Sequence, residues 1–195
     1  MTHIQAKKSK IAVGLPTPSF FLSAGILLLA FGLRLLLWSA PLHQPANDEV
    51  EYITVARDLL AGRGWQFYEH YHWLRAPLYP LFLAGSLWLA GGDPTGGEAL
   101  YRAALPNIAL SVLNVWLIAR LARALFGRRA ELLAAIVTGA LWTFATFASL
   151  YMAETLFTTL FTAGLLCLVP GDRRQETGDR RQETGDRRQE TGDRR

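Results

Sequence analysis

The chain has 195 residues, 51% of them hydrophobic and 18% charged, with a formal net charge of +4. An apolar share of this size, gathered ahead of a polar C-terminal stretch, excludes a wholly disordered polymer and points to an integral membrane protein with a hydrophilic tail. The excess Lys and Arg flank apolar runs, where membrane orientation explains them, so nucleic acid is excluded as a partner.

Residues 1–18 form a basic arm with Lys7, Lys8 and Lys10 and no acid. The first apolar window, 19–38, is long enough to cross a bilayer, which takes about 20 residues. A cleaved signal peptide is the rival, but Arg34 interrupts the run and bulky Trp38 stands where a small residue is wanted before Ala40. An uncleaved span is therefore expected, with Arg34 snorkelling to the outer interface beside Trp38 and Ser39.

Residues 39–102 are read as an outer loop. In "QPANDEVEYITVARDLLAGRGW", Val50, Ile53, Ala56 or Arg57, and Leu60 recur at helical spacing, and Gly62 and Gly64 supply the stop. This predicts a helix with one apolar face lying on the membrane surface. Asp48 followed by Glu51 resembles a capping box, which gives both acids a structural role and leaves Glu49 unexplained. "LYPLFLAGSLWLA" is too short to cross and is bounded by Pro77 and Gly91-Gly92, so an interfacial or re-entrant helix is expected. His70 and His72 straddle Tyr71 with no third ligand, a weak metal signal.

Further windows follow at 103–121 and 131–151, with a marginal fourth at 155–169. The predicted fold is all-α, with about four transmembrane spans over residues 19–170 and juxtamembrane helices in the first outer loop. The link "ARLARALFGRRAE" sets Arg120, Arg123, Arg128 and Arg129 against Glu131 alone, whereas the outer loop holds seven acids against four arginines. Both features place the N-terminus in the cytoplasm of a plasma-membrane protein. Cys167, the only cysteine, lies in the fourth window and allows no internal disulfide. From Gly171 to Arg195 the heptad "GDRRQET" repeats without an apolar position, so no coiled-coil seam exists and disorder is expected. Its identity looks like a tandem DNA repeat, and the expectation is a truncated or interrupted gene.

With this topology Glu154 emerges on the same face as Asp48. Acids converging on one face with an aromatic, Arg-containing loop suit a sugar or phosphate site, since carboxylates activate hydroxyls or hold a cation and arginines neutralise phosphate. A transporter with Glu154 as an ion site is the weaker alternative, because the third window offers only Thr138, Thr143 and Thr146 near mid-membrane.

"QPANDEVEYITVARDLLAGRGW", "LRAPLYPLFLAGSLWLAGG", "YRAALPN" and "SLYMAETLF" together resemble, in order and spacing, the N-terminal third of GT-C glycosyltransferases of the protein O-mannosyltransferase and lipid A aminoarabinose transferase (ArnT-like) type. The resemblance runs from about Arg34 to Leu160. It departs at Ala76, where that family usually has a further proline.

What it implies is transfer of a sugar from a polyprenyl-phosphate donor to a lipid, glycan or protein acceptor on the outer face, within membrane lipid. Asp48 is then the base or acceptor-positioning carboxylate, Glu49 its neighbour and Glu154 the second acid. Arg75 and Arg102 are candidates for the donor phosphate, and equally for interfacial anchors. No cofactor is certain, and a divalent cation is the one that the acids could hold. A non-catalytic membrane protein, or an inactive truncated product, is the competing expectation.

Overall fold

A computed structural model describes residues 18–39, 44–65 and 76–169, and side chains from residue 22 onward. The basic arm, His70, His72, Arg75 and the repeat tail lie outside the described residues. Within them every regular element is helical: α1 (Pro18–Ser39), α2 (Asp48–Leu60), α3 (Leu78–Ala90), α4 (Gly97–Ala103), α5 (Leu105–Phe126), α6 (Arg128–Ala140), α7 (Trp142–Phe147) and α8 (Glu154–Leu168).

The long apolar runs form the bundle. α5 is its centre, packed on α6, α8 and α1, while α1 also lies on α6 and α7. α1 and the nearly continuous α4–α5 rod, Gly97–Phe126, are long and apolar enough to cross a membrane. α8 is apolar over 15 residues, a rise of about 22 Å against a hydrocarbon thickness of about 30 Å. Leucines such as Leu28, 70% exposed, and Leu29, 77% exposed, turn outward from α1, as expected where the surroundings are lipid rather than water.

The window 131–151, expected as one span, is not one helix. α6 ends at Ala140, Leu141 is extended with φ −64° and ψ 117°, and α7 runs only to Phe147. A break in an apolar setting strands backbone carbonyls, which need partners from elsewhere in the protein. Three α5 and α1 side chains supply them. Asn107 Nδ2 donates to the carbonyls of Phe147, Ala148 and Leu150 at 3.1–3.3 Å, Ser111 Oγ donates to Phe144 O at 3.3 Å, and Arg34 Nη1 donates to Gly139 O at 3.1 Å.

Arg34 therefore does not snorkel. It is fully buried, with Nε on Ser111 Oγ at 2.7 Å and Nη1 also on Ala30 O at 2.9 Å. Snorkelling needs an open path to the interface, and here α5 and α6 close over the side chain while offering it acceptors. Its cation also sits at the C-terminal end of α6, where the helix dipole favours positive charge. Close packing makes this reach possible: a Cβ on Gly139 would stand 3.3 Å from Ala30 Cβ, so glycine lets α6 approach α1.

α2, α3 and α4 cap one end of the bundle. α2 packs on α3 and α3 on α4, and Tyr52, Ile53, Tyr79, Leu83, Leu87 and Tyr151 share one buried cluster. α2 and α3 occupy the stretches expected from periodicity, and α2 is followed by Gly62 and Gly64 at φ 71° and 75°, a conformation that suits glycine. Trp38, at the end of α1, stacks on Tyr101 with centroids 4.1 Å apart and donates from its indole to Tyr101 O at 3.1 Å. This ties the cap to the bundle.

Candidate functional site

The acids of α2 divide differently from the expectation. The buried face is Glu49, Tyr52, Ile53, Val55, Ala56 and Asp58, so of the expected face (Val50, Ile53, Ala56 or Arg57, and Leu60) Ile53 and Ala56 are buried while the helix is rotated enough to turn its two ends outward. Val50 is 45% exposed and Leu60 37%. The rotation seats Tyr52 edge-on against Tyr79, with centroids 4.8 Å apart, and an aromatic pair buries more apolar surface than Val50 could. Its consequence is that Glu49 goes inside.

Glu49 is 4% exposed. Its Oε1 accepts from the Tyr151 backbone amide at 2.9 Å and its Oε2 from the Ala46 amide at 3.3 Å. The capping box is thereby corrected: Asn47, not Asp48, is the N-cap and makes no side-chain capping bond, and Glu49 reaches back to the preceding turn. Asp48 is the first residue of α2 and half-buried.

Glu49 thus fixes the α7–α8 connection, and that connection delivers Glu154 to the same end of the bundle. Tyr151 is held there a second time, by its hydroxyl donating to Leu100 O at 2.8 Å. Burial pushes the Tyr79 phenol far above its ordinary range, with Tyr151, Glu49, Tyr52 and Glu154 all adding to the shift. Burial and Glu49 do the same to Tyr151, opposed by Arg57.

Arg102 is exposed and lies over the α3–α4 loop, its Nη2 3.7 Å from where a Cβ on Gly92 would be. Arg57, not singled out for the site, is the arginine felt at Tyr151. It is fixed by donating to Pro94 O at 2.9 Å and Thr95 O at 3.0 Å. Among the described residues no three of His, Cys, Asp and Glu gather as a metal-ligand set.

Beneath Glu154, a cavity of about 230 Å³ opens between α5, α7 and α8, lined by Ser111, Asn114, Phe144, Phe147, Glu154 and Thr158 among others. Ser111 and Asn114 of α5 escaped the sequence reading, and Asn107 entered it only as part of "YRAALPN". Asn107, Ser111 and Asn114 are spaced by four and three residues, and that one-sided polar stripe within an apolar helix was the available signal.

No protein-family model, no curated protein and no solved structure is significantly similar to this chain.

Proposed function

We propose that this is a multi-pass plasma-membrane glycosyltransferase of the GT-C kind, moving a sugar from a polyprenyl-phosphate donor to an acceptor hydroxyl on the outer face. The passes are α1, α4–α5, the broken α6–α7 and α8. The N-terminus and the Arg-rich α5–α6 turn are cytoplasmic, and the α2–α4 cap lies outside. The observation that carries the proposal is the hydrogen bond from the Tyr151 amide to Glu49, which brings the turn leading into Glu154 to the end of the bundle where α2 begins.

In this reading Glu49 builds the site, and the more accessible Asp48 and Glu154 serve the reaction. One carboxylate takes the proton of the acceptor hydroxyl as its oxygen bonds to the anomeric carbon, and the bond to the polyprenyl phosphate breaks with its electron pair on the phosphate. Arg75 and Arg102 are the candidate partners for that leaving charge.

The test is sugar transfer, or donor hydrolysis, by the chain in lipid nanodiscs supplied with a polyprenyl-phosphate sugar. Asp48→Asn and Glu154→Gln should each lower turnover by ~100-fold or more, because shape is kept and charge is lost. Wild-type turnover in both variants would end the assignment. External thiol labelling of a cysteine at position 128 in intact cells would likewise overturn the orientation.

A non-catalytic membrane protein is the second reading, and Glu49 favours it. Both of its oxygens are committed to backbone amides, so part of the acidic motif is explained by folding alone.

A further inference from the structure

We propose that the α5–α6 turn is a binding site for the headgroup of an anionic phospholipid. Arg120, Arg123, Arg128 and Arg129 fall within ten residues of chain, and the single-residue link at Gly127 holds both pairs at one end of the bundle, where α5 and α6 pack along each other. All four are exposed. The one carboxylate of the turn, Glu131, is almost buried and already bound to Arg123 at 3.2 Å. Arg120, Arg128 and Arg129 are thus left with no acidic partner among the described residues.

Helix stability does not account for the arginines of α6. Arg128 and Arg129 open that helix, where the dipole disfavours cations. Membrane orientation accounts for their side of the bilayer, and it leaves them facing the phosphates of that leaflet. The α4–α5 rod has 30 residues against about 20 needed to cross, so its last turns, with Arg120 and Arg123, reach the headgroup region. Apolar surface accompanies the charge: Phe126 at the end of α5 is 77% exposed, and the Arg120 guanidinium lies 6.0 Å from the ring centre of Trp116, itself 43% exposed. A free phosphate or a soluble polyanion leaves Phe126 uncovered. A lipid meets both needs, because its phosphate takes the arginine forks while its chains cover the rings. A net negative headgroup is favoured over a zwitterionic one, whose own cation finds no unspent carboxylate at this turn. The site rests on the chain lying in a membrane, not on its being a transferase.

The experiment places a bimane label on Ala124→Cys, an exposed position of the turn, in the full chain carrying Cys167→Ser, within phosphatidylcholine nanodiscs doped with brominated lipid. Brominated phosphatidylglycerol should quench the label at roughly tenfold lower mole fraction than brominated phosphatidylcholine, as a few arginines at a leaflet surface predict. Arg128→Gln with Arg129→Gln should cut that preference to about twofold or less, and ~1 M salt should do the same to the unsubstituted turn by screening. The salt arm keeps the test decisive if the double variant does not fold. Both faces of a nanodisc carry the same lipid, so orientation does not enter. Lys7, Lys8 and Lys10 are the rival source of charge, and replacing all three by Gln should leave the preference intact. Equal quenching by the two lipids, a preference that survives Arg128→Gln with Arg129→Gln, or one abolished by the lysine substitutions would overturn the proposal.

Discussion

The carboxylate of Glu49 accepts a 2.9 Å hydrogen bond from the backbone amide of Tyr151, 102 residues further along the chain. This one bond joins the start of α2 to the turn that leads into α8, and the relative placement of the candidate acids rests on it.

Glu49→Ala should leave the buried Tyr151 amide without an acceptor and lower stability by about 1–3 kcal/mol, whereas Glu49→Gln keeps an acceptor oxygen and should cost less. Thermal unfolding of the two variants in detergent micelles measures the difference. An Ala variant that unfolds with the wild type would remove Glu49 from the framework of the site.

Arg34 holds the break between α6 and α7 through Ser111 and Gly139. Arg34→Met should strand the Gly139 carbonyl at a cost of about 1–3 kcal/mol. Arg34→Lys should do no better, because an ammonium keeps the buried charge but cannot fork between the two partners. Amide hydrogen exchange should accelerate over residues 141–153 in both variants. Unchanged protection there would show that the break is held by other contacts.

The raised phenols of Tyr79 and Tyr151 give an alkaline limit. A free tyrosine ionises near ~10, whereas these two stay protonated in the folded chain to higher pH. Above that value the unfolded chain holds fewer protons than the folded one, so stability falls as pH rises. Below it the two tyrosines contribute no slope. Each should add about 1.4 kcal/mol per pH unit to the alkaline loss, and Tyr79→Phe should remove one such share. Denaturant unfolding between pH 10 and 12 tests this, and a Tyr79→Phe slope equal to that of the wild type would refute it.

The sequence by itself determined α1, α2, α3 and α8 and the start of α5, but neither α4 nor the division of the 131–151 window into α6 and α7. Apolar run length marks α1 and α5, and Gly62 and Gly64 close α2. Pro77 and Gly91 bound α3 at its observed 13 residues. These are local signals, carried by propensity, periodicity and turn chemistry within a few residues. Tertiary structure decided three things that such signals do not hold. The stretch around Leu141 is as apolar as its flanks, and its break is stabilised by Asn107, Ser111 and Arg34 from other helices. Arg34 reads locally as a snorkelling cation, yet the acceptors on α5 and α6 draw it inward. Asp48, Glu49 and Glu51 are interchangeable by composition, and only the packing of Tyr52 against Tyr79 sets the rotation of α2 that buries Glu49. A small rotation of a helix costs little locally and is settled by the partners it meets, which lie far away in sequence.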